Sequence, residues 1–534
     1  MSSIRSPFLG PIVGHTTSTS CRLWVQAGDP NDQGITLSEN RRTIGIITIL
    51  DRQKQPVYSA GNTAYFRLHR EFDRTGTYNI GIDPTTGGGP PFELKPNTKY
   101  TVRLGTLTLD DAYPNETNVS DEELLKRLPP ATVWVDDLIN LPEKMSEASF
   151  RTFPGNGNGL SFMFGSCHYP GLFWKKKLSG RIFKSMIDQI SKTRFGRKPQ
   201  LSLMVGDQVY ADMLNRHVPV GLADTFAEFQ SRYHEAFSTP NLRTLMNQLP
   251  TYMILDDHEI EDNWTQDRIS SSRSKRVLFN LAMGAYMSYQ WSHGPRNYEG
   301  RVFYSFSVGD YPFFVLDQRT QRFKDDDAGL EDNHLLGRPS QDPKNEPGQL
   351  EYLLDWLRRL KNDPRPKFIV SPCVFVPNPV VTARGDKQKE KSDSWPAFPA
   401  TRRRILSTIL EHNIQNVVFL SGDIHCSNVA EIRFDGNSEA RKIKAFSIVS
   451  SAFYWPFWFA DGEPSNYVHD SHQENDTFIV DKEKGLTMDY QATNFTQKDN
   501  FCRVDVDWEN RKVIEVKAIG YDGDELTKST LQLA

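Results

Sequence analysis

Cysteine is scarce in this chain of 534 residues, which contains only five. Their number is odd and they are widely spaced, a pattern that excludes the dense disulfide framework of small secreted domains. A reducing compartment is therefore the expected setting. The five are Cys21, Cys167, Cys373, Cys426 and Cys502.

Long apolar runs are also missing. No stretch reaches the about 18 apolar residues that indicate a membrane-spanning helix, and the N-terminus, Met1–Pro7, lacks the charged and apolar regions of a secretory signal. We therefore expect a cytoplasmic protein without a transmembrane segment. The net charge is −4, and this balance gives no indication of specific binding to nucleic acid or to an anionic membrane.

The length exceeds what one hydrophobic core fills, so two or three domains are expected. Residues 1–155 have the alternating polar and apolar residues and the turn clusters of an all-β domain. The segment Leu94–Leu104 resembles the tyrosine corner of immunoglobulin-like and fibronectin type III sandwiches, where a tyrosine hydroxyl bonds to the backbone upstream. We predict such a β-sandwich over residues 1–155, followed by a linker of Gly and Asn residues.

From residue 160 to residue 534 the pattern changes to strands that alternate with helices. This pattern predicts an α/β domain in which two sheets lie between layers of helices, an α-β-β-α arrangement. The clearest helix is predicted over Pro347–Lys361, where five leucines fall on one face. The chain is predicted to end in a β-hairpin of Phe501–Trp508 and Lys512–Ile519.

Four apolar runs each end in residues that can bind a metal ion. Such runs predict buried strands, and open α/β sheets bind ligands at the carboxyl ends of their strands. We therefore expect the four runs to be parallel neighbours that bring these residues to one edge. They are Ser161–Ser166 before Cys167 and His168, Leu201–Gly206 before Asp207 and Tyr210, Thr251–Leu255 before Asp257, His258 and Asn263, and Val417–Gly422 before Asp423 and His425.

Several carboxylates at one buried edge can coexist only around cations. The thiolate of Cys167 and the phenolate of Tyr210 donate much charge, which favours iron(III), with zinc as an alternative partner of the thiolate. The Asp, Asn and His residues suit a second, divalent ion: calcium, manganese, magnesium or zinc. Asp207 is predicted to bridge the two ions. Two ions about 3.5–4 Å apart would activate water for attack on phosphorus. His258 would protonate the leaving oxygen or bond to the phosphate in the transition state.

The motifs around these residues resemble those of the alkaline phosphatase D (PhoD-like) family of calcineurin-like metallophosphatases. That family also has a sandwich domain before its catalytic domain. The resemblance implies hydrolysis of phosphate esters by a metal-activated hydroxide at a binuclear centre. It implies iron(III) at Cys167, Asp207, Tyr210 and Asp423, and a second metal, calcium in the described members, at Asp207, at Asp257 or Asn263, and at His425. The similar segments are Gly165–Cys167, Gly206–Tyr210, Asp256–Glu259 with Asp262–Trp264, and Ser421–His425.

Some features differ from the family pattern. Where the family has Asp-Thr-Arg, this chain has Asp317-Gln318-Arg319, which retains Arg319 to bind phosphate and stabilise charge. Members are typically exported with a twin-arginine signal, and this N-terminus shows none. His168, beside the first predicted ligand, is interpreted either as a substrate-binding residue or as a structural histidine.

The predicted substrate is a small-molecule or polymeric phosphoester, and the motifs leave monoesters and diesters open. A phosphodiesterase that acts on lipid head groups or nucleotides is the nearest alternative. A binding protein with a degenerate metal site is an alternative from another class, although the complete ligand set argues against it. The aromatic run Phe453–Phe459 is interpreted as packed core, or as an apolar wall for the leaving group of the substrate.

Overall fold

The computed structural model describes residues 3–28, 42–57, 63–81, 93–109, 120–156, 159–170, 176–191, 198–213, 222–324, 329–380, 385, 389–457 and 464–534. Within these ranges, no helix is both long enough and apolar enough to cross a membrane.

The first part of the chain forms two antiparallel sheets. Its strands are β1 (Ser3–Arg5), β2 (Leu9–Thr16), β3 (Ser20–Gln26), β4 (Thr43–Leu50), β5 (Thr63–Arg67), β6 (Thr75–Gly81), β7 (Lys99–Thr108) and β8 (Glu147–Arg151). One sheet has the order β1-β7-β4-β5 with β8 beside β7, and the other has the order β2-β3-β6. The short helices Asp121–Arg127, Val135–Ile139 and Glu143–Ser146 connect β7 to β8.

The two antiparallel sheets share one core. Leu23 of β3 packs in the same cluster as Val102 and Leu104 of β7, as expected where apolar side chains alternate along facing strands. The hydroxyl oxygen of Tyr100 accepts a hydrogen bond of 2.8 Å from the backbone N–H of Lys95. This is the backward link to the chain upstream that the segment Leu94–Leu104 predicted.

The rest of the chain contributes two mixed sheets. One has the order β11-β10-β9-β21-β22-β23 with β18 beside β9, and the other has the order β12-β13-β14-β15-β17-β16-β20-β19. The strands are β9 (Leu160–His168), β10 (Leu201–Val205), β11 (Thr251–Ile254), β12 (Tyr304–Val308), β13 (Tyr311–Val315), β14 (Lys367–Val370), β15 (Val417–Ser421), β16 (Ser427–Asp435), β17 (Ala445–Val449), β18 (Ser451–Tyr454), β19 (Phe478–Asp481), β20 (Leu486–Thr496), β21 (Asn500–Asp507), β22 (Val513–Gly520) and β23 (Glu525–Gln532).

A core of aromatic and aliphatic side chains lies between the two mixed sheets. Phe162 of β9 meets Phe368 of β14 edge to face, with ring centroids 5.3 Å apart. Helices pack on the outer faces: Arg181–Ser191, Phe226–Phe237, Pro240–Met246 and Arg273–Tyr289 on one, and Gln349–Arg359 and Pro399–Glu411 on the other. Three single-turn helices are Lys176–Ser179, Arg268–Ser271 and Pro464–Tyr467.

The helix predicted over Pro347–Lys361 is observed over Gln349–Arg359, with its leucines buried. Two other predictions need correction. The strand Val417–Ser421 is not a neighbour of the other three ligand-bearing strands, because β9, β10 and β11 lie in one sheet and β15 lies in the other. The C-terminal hairpin of β21 and β22 continues into a third strand, β23, whose alternating polar residues gave a weak signal.

Strands β2 and β3 dock directly on the helices of the second part. Arg243 donates to three backbone carbonyls before and within β2: to Gly10 at 2.7 Å, and to Phe8 and Pro7 at 3.1 Å each. A Cβ atom at Gly14 would lie 2.2 Å from the carbonyl oxygen of His293, so glycine permits the closest approach. The two parts of the chain are joined by buried polar contacts.

We expect Arg243→Ala to lower the free energy of unfolding by about 3 kcal/mol, because it leaves buried carbonyls without a donor. Urea unfolding followed by circular dichroism measures the loss. The control is Arg359→Ala, whose side chain is 78% exposed and pairs only with Asp355 on the same helix; it should change stability by about 0.5 kcal/mol or less. Equal losses in both variants would contradict the role given to Arg243.

His293 makes stability depend on pH. It is fully buried, and burial, with nearby Arg22, lowers its pKa to about 3. Between its ordinary pKa and this lowered one, His293 is protonated in the unfolded chain and neutral in the folded protein. The contribution of the neutral His293 to the free energy of unfolding is complete above a pH of about 6.5. It falls by up to about 1.4 kcal/mol per pH unit as the pH drops toward the pKa of His293 in the folded protein.

We expect His293→Gln to unfold with a shallower dependence on pH than the wild type between about pH 6 and pH 4. Chemical denaturation at a series of pH values gives the two slopes. The exposed His472 supplies the control, since His472→Gln should keep the wild-type slope. A His293→Gln slope equal to that of the wild type would refute the assignment.

Candidate metal centre

The ends of β9, β10, β11 and β15 meet where the two mixed sheets face each other. Gly422, directly after β15, permits this approach, because a Cβ atom there would lie 2.2 Å from Oγ of Ser166 and 3.0 Å from the carbonyl oxygen of Val205. Oγ of Ser166 accepts a hydrogen bond of 3.2 Å from the backbone N–H of Asp423. Residues that follow strands of both sheets are thereby brought together.

Four aspartates form the centre of the site. Carboxylate oxygens of Asp207, Asp256, Asp257 and Asp423 lie within 4.8 Å of one another. Burial raises the pKa of Asp207 and Asp256 well above the usual range, and it raises the pKa of Asp423 to about 7. Despite its burial, Asp257 has a pKa well below the usual range because Arg319 lies beside it. Buried carboxylates this close together favour a cation among them.

Asp207 also contacts a thiol and a phenol. Its Oδ2 lies 3.3 Å from Sγ of Cys167 and 3.5 Å from the hydroxyl oxygen of Tyr210. Burial raises the pKa of the Cys167 thiol to about 12 and that of Tyr210 well above its usual value. Both groups therefore keep their protons unless a cation displaces them, and the deprotonated groups are strong ligands for a highly charged ion.

The residues present fit a metal centre. Oδ1 of Asp207 and Oδ2 of Asp256 are buried and have no hydrogen-bond partner in the described part of the chain. Formal negative charge is also in excess, since seven carboxylates lie among three cationic side chains. The carboxylates belong to Asp207, Asp212, Asp256, Asp257, Glu259, Asp393 and Asp423, and the cations to His258, Arg319 and Arg322. Bound cations would balance this excess.

At five of the seven predicted ligands the backbone adopts a left-handed conformation that residues other than glycine seldom take. The angle φ is 57° at Cys167 and at Asp207, 54° at Asn263, 72° at Asp423 and 51° at His425. Such strain costs on the order of 1–3 kcal/mol per residue and clusters at functional sites. The fold thus turns the chain sharply at these positions to direct the side chains.

Glu259 organises the loops beneath the cluster. Its Oε2 accepts hydrogen bonds from the backbone N–H groups of Asp207 at 3.2 Å and Asp256 at 3.0 Å. Its Oε1 accepts from the backbone N–H of Gln208 at 2.8 Å and from Nε2 of Gln290 at 3.1 Å. One buried carboxylate therefore fixes two strand ends at once. Sequence reasoning included Glu259 in a motif but gave it no role.

His258 is held by a carboxylate that sequence reasoning missed. Its Nδ1 lies 2.8 Å from Oδ1 and 3.0 Å from Oδ2 of Asp212. Burial alone would lower the pKa of His258, but the carboxylates of Asp257 and Asp212 raise it to about 10. These carboxylates therefore favour the charged form of the imidazole, in which Nε2 carries a proton. The position of Asp212, five residues after Asp207 in the same loop, was the available signal.

Arg319 is fully buried among carboxylates. Its Nε lies 2.6 Å from Oδ1 of Asp256, its Nη2 3.3 Å from Oδ1 of Asp257, and its Nη1 2.9 Å from Oδ2 of Asp393. Asp393 pairs with Arg322 as well. Sequence reasoning assigned no individual role to Asp393 and interpreted residues 376–396, which contain it, as a candidate rim or lid of the active site. Binding of phosphate by Arg319 stays a prediction, and in this arrangement the phosphate would have to take the place of Asp393.

Three predicted residues lie at the margin of the cluster. His425 is partly exposed, and burial lowers its pKa to about 3, which leaves a neutral ring able to bind a metal. The exposed side chain of Asn263 donates to Asp262 at 3.0 Å, whereas Asp257 lies inside the cluster. His168 packs in the core against Phe183, with ring centroids 4.8 Å apart, a placement that favours the structural interpretation.

Aromatic rings line one side of the site. The ring of Trp455 stacks on His425 with a centroid distance of 3.8 Å, and it is followed by Phe457 at 5.1 Å. Of the run Phe453–Phe459, the residues of β18 are buried, Trp455–Phe457 are partly exposed, and the last two lie outside the described residues. We call the rings that surround this side the aromatic wall: Tyr169, Tyr210, Trp455 and Phe457.

Comparison with known proteins gives consistent matches. The model of the PhoD-like phosphatase family matches residues 170–514, starting directly after the segment that carries Cys167. The chain is 23% identical over 411 residues to alkaline phosphatase D of Bacillus subtilis (strain 168), which covers 70% of this chain and 65% of that protein. The chain thus matches slightly less than two thirds of the length of this curated relative.

A solved structure described as the structure of PhoD matches over 99% of this chain and 94% of that chain, with a TM-score of 0.60 and 18% sequence identity. This similarity shows a shared fold. A glycosyl hydrolase family 2 member from Bacteroides cellulosilyticus matches with a TM-score of 0.23 and 8% identity, which supports no inference.

We expect Glu259→Gln to destabilise the site, because either orientation of the amide leaves two buried donors without an acceptor. The loss should be about 2–3 kcal/mol in the free energy of unfolding, with reduced metal content after purification. Thermal unfolding and elemental analysis measure the two effects. Glu439→Gln is the matched control, since Glu439 is exposed and pairs only with Lys442. Unchanged stability and metal content in Glu259→Gln would show that Glu259 does not organise the loops.

Proposed function

This chain belongs to the PhoD-like phosphatase family, as its motifs predicted, and on that premise we propose that it hydrolyses phosphate esters at a centre of two metal ions. The observation that carries the proposal is the buried cluster of Asp207, Asp256, Asp257 and Asp423, with a thiol and a phenol against Asp207. When bound, the metals would supply activated water and neutralise phosphate oxygens. The substrate is proposed to be a small-molecule or polymeric phosphoester.

We propose that iron(III) binds at Cys167, Asp207, Tyr210 and Asp423, because a thiolate and a phenolate suit this ion. The second ion is proposed to be calcium, or in its place manganese, magnesium or zinc, at Asp207, Asp257 and His425, with Asn263 as the alternative to Asp257. Asp207 supports a bridging role, since Oδ2 faces Cys167 and Tyr210 while Oδ1 is buried without a partner in the described ranges.

His258 is proposed as the general acid. Asp212 holds Nδ1, and the carboxylates of Asp257 and Asp212 favour the charged imidazole, in which Nε2 carries a proton that it can donate to the leaving oxygen. Asp212 acts as a positioning residue, because it fixes the ring and leaves Nε2 free. Arg319 keeps Asp256 and Asp257 in place and is proposed to stabilise charge on the phosphoryl group, once Asp393 has moved from its guanidinium.

We also propose that residues 1–155 are an immunoglobulin-like or fibronectin III-like domain and residues 160–534 the catalytic metallophosphatase domain. The separate core of the antiparallel sheets supports this division. In thermal unfolding of the Arg243→Ala variant, two separate transitions would support this domain boundary. A single transition over the whole temperature range would weigh against two independently folding units.

We expect the protein supplied with iron and calcium to hydrolyse p-nitrophenyl phosphate, its bis ester, or both. Asp207→Asn should lower kcat/KM by about 100-fold or more, since it weakens both metal positions. The iron-loaded protein should absorb visible light through tyrosinate bound to iron(III), and Tyr210→Phe should abolish the band. Enzyme kinetics, visible spectra and elemental analysis of the same samples measure these effects.

The matched control is Asp522→Asn, a surface carboxylate paired with Arg181, which should retain the activity and the spectrum. No turnover of either ester by the metal-loaded protein would favour the binding protein with a degenerate site. Turnover of the bis ester alone would favour the phosphodiesterase. A colourless active protein that contains zinc alone would refute the iron assignment.

A further inference from the structure

We propose that the aromatic wall, Tyr169, Tyr210, Trp455 and Phe457, is the subsite that binds the leaving group of the substrate, and that this group is flat and apolar. The inference rests on the proposed function and specifies its substrate class: phosphate esters of aromatic or comparably flat, uncharged alcohols. Nothing in the metal chemistry itself requires such a preference, so the two proposals can fail separately.

The wall touches both histidines that border the carboxylate cluster. The Trp455 ring stacks on His425 at a centroid distance of 3.8 Å and an angle of 23°. The Tyr210 ring lies 4.4 Å from that of His258, the proposed proton donor to the leaving oxygen. A group bonded to that oxygen therefore emerges beside Tyr210 and Trp455, whose ring centroids are 5.7 Å apart.

The wall is not simply a part of the core. Phe453 and Tyr454 of β18 are buried, but the next aromatic residues, Trp455 and Phe457, are partly exposed, as is Met213. Tyr169 and Tyr210 are buried behind them, and Phe457 meets Tyr169 edge to face with centroids 5.2 Å apart. Trp455 and Phe457 are therefore the rings that a ligand can reach, and accessible rings beside a reactive centre are typical of a subsite that buries an apolar part of a ligand.

Carboxylates border the same site. Asp262 is exposed, and the side chain of Asp393 is 25% exposed. These carboxylates disfavour a leaving group that carries negative charge, since like charges repel across a short distance. The aromatic rings are the favourable place for an uncharged group.

The test measures binding of non-hydrolysable phosphonates to the metal-loaded protein by calorimetry. Phenylphosphonate and 1-naphthylphosphonate should bind about 10-fold tighter than methylphosphonate, as stacking on aromatic side chains adds to the burial of apolar area. Trp455→Leu should reduce this ratio to about 3-fold or less, whereas Trp455→Phe should retain most of it. The ratio of the affinities reports on the subsite and not on the metal, because a loss of metal through a displaced His425 would weaken the binding of all three phosphonates equally.

The matched control is Trp508→Leu. Trp508 follows β21, whose Val506 pairs with Leu160 at the start of β9, so Trp508 lies at the end of the sheet away from Cys167. This variant should keep the wild-type ratio. Equal affinity of the wild type for all three phosphonates would overturn the proposal, as would an unchanged ratio in Trp455→Leu. Tighter binding of a trimethylammonium-ethyl phosphonate than of the aryl phosphonates would also overturn it, by assigning the wall to a cation.

Turnover of the corresponding phenyl and methyl phosphate monoesters distinguishes this proposal from the proposed function. Selective binding without hydrolysis of any ester would support the subsite and overturn the hydrolase. Hydrolysis without selectivity in binding would support the hydrolase and overturn the subsite. Aryl selectivity in both binding and kcat/KM supports the two together.

Discussion

The excess of buried negative charge at the strand ends is the constraint on which the rest of the structure depends. A buried carboxylate is costly unless cations or hydrogen-bond donors surround it. Arg319 and Arg322 compensate part of the charge. Hydrogen bonds from backbone N–H groups and from the Gln290 amide stabilise the carboxylate of Glu259. What remains, above all the unpartnered oxygen of Asp207, calls for metal ions. The two sheets and their loops hold this charge in one place.

Much of this arrangement could be predicted, because it is recorded locally in the sequence. A buried strand that ends in glycine and aspartate shows the strand, its end and the candidate ligand in one segment. The sequence therefore marked Asp207, Asp257 and Asp423 together, although it placed the strand before Asp423 in the wrong sheet. The change in hydrophobic period likewise indicated where the antiparallel sheets give way to strands that alternate with helices.

The rest depends on tertiary contacts that leave no local pattern. The sequence cannot distinguish a strand in the same sheet from one in the facing sheet, since both are apolar runs, and β15 was therefore expected in one sheet with β9, β10 and β11. Asp212, Asp393 and Arg243 act through partners 46 or more positions away. An aspartate or an arginine in the sequence gives no indication of such a distant partner. Apolar residues at a regular spacing at least indicate which face of a helix or strand is buried.

The left-handed backbone at the strand ends has a consequence for how such a site can change during evolution. Among residues other than glycine, asparagine and aspartate tolerate this conformation best. At the proposed ligands Asp207, Asn263 and Asp423 the backbone and a bound metal would therefore accept nearly the same short set of residues, and exchange between aspartate and asparagine would be the easiest route to a different metal preference. Cys167 adopts the same conformation without that advantage. Once lost by mutation, this proposed ligand would be replaced most easily by glycine or asparagine, so the thiolate is the part of the proposed centre that drift would least readily restore.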